Sequence, residues 1–313
     1  MNEPEVISMP KKPSEYFKRA TPRIDRTTCN NCGLCAGVCG GQPLAVVNGK
    51  VEIDPESALG CLACGQCMMI CPTGSISVNG RNLSPKDILE LPPRDSRATP
   101  EQLEALLLRR RSIRQFKENE VGREIVDKVL RIASSAPMGI PPSDVGIVVL
   151  HGRDKVKAFS DEVMSTFDRT MKIMNPVTMA LYRPFINKVT YDSLKEFVIP
   201  LSTLMTKERE SGGDPLLYGA PVAFLFHSSP YAEPGDCYIA ATYAMIAAES
   251  LGLGTCMIGM VAPFLERDTK LKAKHGIPKR NKPSIVLLMG YPGTSFKRGV
   301  RRRFASVTIN GGP

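Results

Sequence analysis

Tryptophan is absent from this chain of 313 residues, and histidine occurs three times. His151 and His227 close apolar runs and His275 sits in a basic stretch, so each reads as a packing or solvated residue rather than a general base. There is no Ser-His-Asp pattern and no HExxH motif, which sets aside the common hydrolase and zinc-protease chemistries. No run of eighteen apolar residues occurs either. The most apolar stretch, 239–262, is broken by Glu249 and several glycines, so a membrane span is not expected. The opening MNEPEVISMPKKPSEYF puts acids first and has no apolar core, which argues against a secretory leader and for a cytoplasmic protein. Low-complexity tracts are also missing. With 42% apolar and 23% charged residues the usage is ordinary and globular, which excludes wholesale disorder.

Cysteine is what the chain has in excess. Of ten, eight fall between Cys29 and Cys71; the other two, Cys237 and Cys256, lie among small apolar residues and read as packing. So many thiols in a chain without a leader point to a reducing compartment and to metal rather than disulfides. The first group reads Cys29-x2-Cys32-x2-Cys35-x3-Cys39, the second Cys61-x2-Cys64-x2-Cys67-x3-Cys71-Pro72. Two-residue gaps let three thiolates wrap three corners of an iron–sulfur cubane. The fourth, a helical turn further on, reaches the other cube. The expected sets are therefore Cys29, Cys32, Cys35 and Cys71 for one 4Fe-4S cluster, and Cys61, Cys64, Cys67 and Cys39 for the second. Zinc also takes Cys-x2-Cys pairs, but it needs only four ligands per ion and has no use for a third cysteine at the same spacing. The region resembles the two-cluster bacterial ferredoxins, with one departure: Gly40, not proline, follows Cys39. Such clusters suit anaerobic conditions.

The pattern divides the chain into an extension (1–21), a Gly- and Cys-rich unit (22–84), a linker (85–98) with Pro92 and Pro93, and a larger unit (99–313). Metal clusters would staple the small unit, whose apolar content is thin. In the larger unit Thr99, Pro100 and Gln102 form a capping-box start for a helix with Leu103, Leu106 and Leu107 on its apolar face. A second helix is expected over 125–136. Segments 145–151, 221–227 and 284–290 read as buried strands, 237–251 as a small-residue helix, and 154–212 as a helical, Met-bearing insertion or lid. The methionines there (164, 171, 174, 179 and 205) read as core.

Arg110, Ser112 and Arg114 alternate, and an extended segment points such residues to one face. Two guanidinium forks and a hydroxyl make a cradle for phosphate. A second basic block, Lys297 to Arg303, lies near the C-terminus. The formal charge of +10 raises nucleic acid as a rival partner, but the basic blocks are short and aromatic platforms are lacking. Two clusters and a flavin phosphate would also lower the charge to about +4.

In order, the larger unit presents RRSIRQF after a helix, SSAPMGIPPSDV before a strand, GLGTCMIG after another helix, and MGYP after the last strand. This order resembles the FMN-dependent nitroreductase family over roughly 99–313. The resemblance implies an α+β three-layer sandwich, here preceded by the small ferredoxin-like iron–sulfur domain, and a homodimer with FMN between the subunits. It places the phosphate on Arg110, Ser112 and Arg114 with help from Arg301 or Arg303. It sets Pro137, Met138 and Gly139 beside the flavin ring, where Ile140, Pro141 and Pro142 stand in place of the family's usual polar residues, and it brings backbone N–H groups of a turn at Ile258 and Gly259 toward the flavin edge. No catalytic side chain is assigned; flavin N5 is the expected reactive centre. No Rossmann fingerprint is present, since Gly252, Gly254 and Gly259 have the wrong spacing and follow a helix.

The fusion implies an oxidoreductase fed by a ferredoxin or another low-potential donor, passing single electrons through the clusters to FMN. The acceptor would be a small molecule such as a nitro compound, a quinone or an activated alkene. Two other readings share these features: a redox module serving a protein partner, and a specialised biosynthetic reductase or dehydrogenase.

Overall fold

The computed structural model describes residues 19–40, 42–81, 83–139, 144–174, 176–233 and 235–311. Most of the N-terminal extension, and Ile140, Pro141 and Pro142, lie outside the described residues.

The Cys-rich unit is built on two short antiparallel pairs. β1 (Thr21–Ile24) pairs with β4 (Ile76–Asn79), and β2 (Leu44–Val47) with β3 (Lys50–Ile53). Between them sit two one-turn helices, α1 (Leu34–Gly37) and α2 (Gln66–Ile70). The unit has its own small core of Ala20, Leu44, Val51, Met68, Ile76 and Val78, against which the cysteines pack. Short 3-10 turns at 85–87 and 94–96 follow, and residues 86–99 are exposed.

The larger unit centres on a four-stranded antiparallel sheet, and its helices divide between the two faces. In chain order the elements are α3 (Pro100–Arg109), α4 (Arg123–Ala133), β5 (Val145–His151), α5 (Arg153–Ile173), α6 (Pro176–Tyr182), α7 (Lys188–Ser193) and α8 (Ile199–Glu210). There follow β6 (Val222–Ser228), α9 (Asp236–Ser250), β7 (Gly254–Ile258), α10 (Val261–Arg267), α11 (Thr269–Lys274) and β8 (Lys282–Gly290). The strand order is β5-β6-β8-β7. Alternation along the strands sends side chains to two separate cores. Phe224, Phe226, Leu287 and Met289 meet α4 and α9 on one face. Leu225, Val286 and Leu288 meet α5 and α10 on the other, with Met205 of α8. This is the three-layer α+β sandwich expected from the sequence. Met164, Met179 and Met205 are buried, as are Cys237 and Cys256.

Two local readings need correction. The capping box of α3 forms, with Thr99 Oγ1 accepting from Gln102 N at 3.2 Å and Gln102 Oε1 from Thr99 N at 3.0 Å. The apolar face it was expected to bury is not covered, however: Leu103, Leu107 and Leu108 are exposed. GLGTCMIG is not a turn. Gly252 (φ +80°) stops α9 in a left-handed conformation, and the chain continues into β7, an edge strand of the sheet. The small-residue face of α9 is used within the chain, where Ala240, Ala241, Ala244, Ala247 and Ala248 pack on α4 and the sheet.

Candidate redox centres

The two cysteine loops repeat one backbone form 32 residues apart. Asn31 and Ala63 both have φ +57°, and Gly33 and Gly65 both have φ +76°. A β-carbon residue costs about 1–2 kcal/mol in that region, so holding it twice marks built loops rather than chance turns.

The side chains sort into two sets. Cys29, Cys32, Cys35 and Cys71 line one cavity with Ile24, Val51 and Ile76. Burial pushes the Cys35 thiol up, and the charges of Cys71 and Cys32 add to it. Burial also raises Cys61 and takes Cys67 up to about 12; the neighbours that add to Cys67 are Cys61, Cys64 and Cys39. In the fold Cys71 lies with the thiols of the first loop and Cys39 near those of the second. Buried thiols that resist ionisation, with neighbouring thiolates adding to the effect, fit a site neutralised by bound cations. Among the described residues, no three His, Cys, Asp or Glu side chains are drawn together tightly enough to hold a single metal ion. Cys71 differs from the others. Burial raises it, but the Thr73 hydroxyl and the backbone N–H groups of Thr73, Ser75 and Ile76 outweigh that and lower it.

In the larger unit the segment after α3 is stitched to the sheet at two places. Ile113 N donates to Thr255 O of β7 at 2.8 Å. Further on, Lys117 N donates to Tyr291 O and Gly293 N to Gln115 O, at 2.9 and 2.8 Å. RRSIRQF, GLGTCMIG and MGYP therefore meet in space. Ile113 is buried while Ser112 and Arg114 face solvent, which is the alternation the phosphate cradle needs. Burial raises the Cys256 thiol, and Arg114, the Ser112 hydroxyl and Arg110 all act on it in the opposite sense, so all three lie on the Cys256 side of β7. The Arg114 guanidinium also lies 5.8 Å from the centre of the Tyr218 ring. That donor set, two guanidinium groups and a hydroxyl with a nearby aromatic face, fits a phosphorylated flavin.

The loop Pro137–Gly139 follows α4 and is tied to α9. Gly139 N donates to Asp236 Oδ1 at 3.0 Å, and Asp236 is buried in the first turn of α9, where the helix dipole favours a carboxylate. A β-carbon at Gly139 would sit 2.7 Å from Glu233 Cγ, so the approach is close. Ile258 is half-buried at the end of β7 and Gly259 is exposed just beyond it. The C-terminal tail returns past this region, since a β-carbon at Gly299 would lie 2.5 Å from Arg111 Nη2. Arg301 and Arg303 are exposed there, and neither makes a hydrogen bond or ion pair among the described residues. The sequence reading missed Asp236 and also Asp144, whose carboxylate accepts from Ser229 Oγ. Burial raises Asp144, and the Arg81 guanidinium of the Cys-rich unit lies close enough to act against it. Arg81 Nη1 in turn donates to Leu62 O, between Cys61 and Cys64, at 3.3 Å.

An antiparallel sheet between helical layers, edged by an arginine–hydroxyl segment, defines an α+β sandwich. Residues 107–291, more than half of the chain, match the family model described as the nitroreductase family. The chain belongs to that family, and it is an oxidoreductase. A relative from Methanothermobacter thermautotrophicus, provisionally named NADH dehydrogenase/NAD(P)H nitroreductase, is 26% identical over 58% of this chain and 73% of its own length. A second of the same name from Archaeoglobus fulgidus is 22% identical over 60% of this chain and 83% of its length. Among solved structures, a nitroreductase with bound FMN from Bacteroides fragilis superposes with a TM-score of 0.51 at 16% identity, covering 67% of this chain and 99% of that one. At that identity the likeness concerns the fold.

Proposed function

We propose that the chain is an iron–sulfur flavoprotein oxidoreductase. It takes single electrons from a low-potential donor such as a ferredoxin, through two 4Fe-4S clusters, to FMN, and reduces a small acceptor: a nitro compound, a quinone or an activated alkene. The observation that carries this reading is the sorting of eight cysteines into two four-thiol sets ahead of a nitroreductase-family unit. When bound, the clusters supply single electrons and the flavin exchanges one or two, so that one-electron supply serves a two-electron reduction.

The chain's own residues have simpler tasks. Cys29, Cys32, Cys35 and Cys71 hold one cluster; Cys39, Cys61, Cys64 and Cys67 hold the other. Arg110, Ser112 and Arg114 bind the phosphate, with Arg301 or Arg303 of the tail as further cations. Pro137, Met138 and Gly139, fixed by Asp236, and the backbone at Ile258 and Gly259 border the ring. A homodimer is part of the reading. Its support is the apolar surface left uncovered on one copy: Leu103 and Leu107 of α3, Tyr238 and Tyr243 of α9, and Phe304 in the tail. NAD(P)H, which appears in the names of the two relatives, is the rival electron donor.

The test is composition with turnover. Anaerobically prepared protein should hold about eight irons and eight acid-labile sulfides per chain, and one FMN, and should reduce small acceptors far faster than free flavin does. Zinc as the main metal, or about four irons in fully reconstituted protein, counts against it.

A further inference from the structure

The two cluster loops share a backbone but not their surroundings. A chain of hydroxyls runs to one thiol of the first set. Thr28 Oγ1 donates to Ser75 Oγ at 2.8 Å, Ser75 and Thr73 share a hydrogen bond at 2.6 Å, and Thr73 Oγ1 lies 3.6 Å from Cys71 Sγ. Each hydroxyl has one proton, and Thr28 begins the chain as donor. The arrangement in which every proton is used therefore runs Thr28 to Ser75 to Thr73 to sulfur. Ser75 is 4% exposed, so the middle of this chain is shielded from water. Successive hydrogen bonds of one sense polarise each other and strengthen the last.

The 32-residue repeat shows what the second set has instead. Cys71 corresponds to Cys39, Thr73 to Gly41, Ser75 to Pro43 and Thr28 to Gly60. All three hydroxyl residues are replaced by residues without a hydroxyl. Among the described residues, no side-chain hydroxyl or amide bonds to Cys39, Cys61, Cys64 or Cys67; Cys39, Cys61 and Cys67 pack with Ala63, Met68 and Leu83, while Cys64 is exposed. The asymmetry is therefore in the sequence as well as in the fold.

A hydrogen bond donated to a ligand sulfur favours the more negative, reduced form, and apolar burial disfavours it. We propose that the Thr28–Ser75–Thr73 chain sets the reduction potential of the Cys29/Cys32/Cys35/Cys71 cluster above that of its partner, making it the site where an incoming electron rests. The step is the gain of one electron from a low-potential one-electron carrier; no bond forms or breaks and no proton is taken up at sulfur. The inference rests on the reading of two clusters given above.

The experiment is a redox titration of the anaerobic, full-length holoprotein followed by electron paramagnetic resonance, with iron counted on the same samples. The wild type should show two one-electron midpoints. Thr73→Val keeps the shape and removes the proton. It should lower the higher midpoint, with about a fivefold fall in the reduced-to-oxidised ratio at fixed potential, the scale of one hydrogen bond, and leave the lower midpoint in place. Ser75→Ala should move the same midpoint in the same direction by less, and Thr73→Ser should restore the wild-type value. Unchanged midpoints in Thr73→Val at full iron content, or a shift confined to the lower one, overturn the proposal and leave the two-cluster reading standing. Protein without cluster iron overturns that reading and this inference with it.

Discussion

At the scale of single residues, the account makes the arginines of the 110–114 segment responsible for the phosphate and not for the ring. Arg110→Ala and Arg114→Ala should each weaken FMN by about 1.5–3 kcal/mol, the range of a charge-assisted hydrogen bond. Riboflavin, which lacks the phosphate, should bind the variants as it binds the wild type; equal losses for the two flavins in a fluorescence titration would remove the phosphate role. His227 gives a pH prediction. Burial, with a smaller push from the charge of Lys272, lowers it from 6.5 to about 4, and Asn281 Nδ2 lies 3.0 Å from its Nδ1. Between those values the unfolded chain binds a proton that the folded chain refuses. Stability is therefore full above pH 6.5 and falls as pH drops toward 4, by about 3 kcal/mol at most. Denaturant melts from pH 7 to 4 should show the slope, and His227→Gln should flatten it. The cysteines were legible as residues because their chemistry needs a fixed short spacing. Asp236 was not, because its partner Gly139 is 97 positions away and nothing local marks the contact.

Among the elements, β7 holds the 112–114 segment in place. Gly254 lies against Ile113; a β-carbon there would sit 2.6 Å from Ile113 Cγ1 and 2.9 Å from its Cβ. The Cβ cannot swing away, so Gly254→Ala should push the 112–114 segment off the strand. Overpacking of this kind costs about 1–3 kcal/mol, and FMN affinity should fall while iron content stays at the wild-type level. Loss of iron in step with FMN would mean that the two units fail together. The strands and long helices were readable because the period of apolar residues is set by the element itself. GLGTCMIG was misread as a turn because its glycines look alike in sequence, although Gly252 stops a helix and Gly254 makes room for Ile113. The apolar face of α3 was read correctly as a pattern but not for its partner, because periodicity says that a face is to be covered and not by which chain.

For the molecule as a whole, the uncovered faces of α3 and α9 and the tail with Phe296, Val300 and Phe304 exposed are the expected ground of a dimer. Sedimentation of the holoprotein should give twice the 34.2 kDa chain mass. A folded, FMN-loaded monomer at micromolar concentration would contradict it. The division of labour between the two units is the central claim, and truncation tests it most directly. A chain beginning near Ser96 keeps the Thr99 cap, both cores of the larger unit and the arginine–serine segment, and loses all eight cysteines of the two loops. It should bind FMN and reduce acceptors when its flavin is reduced by light or dithionite. Steady-state acceptor reduction is then measured for both chains with reduced ferredoxin and with NAD(P)H. The account predicts that ferredoxin drives the full-length protein and loses most of its turnover with the truncated one, and that NAD(P)H is a poor donor to the full-length protein. Equal ferredoxin-driven rates for the two chains would show that electrons do not enter through the Cys-rich unit.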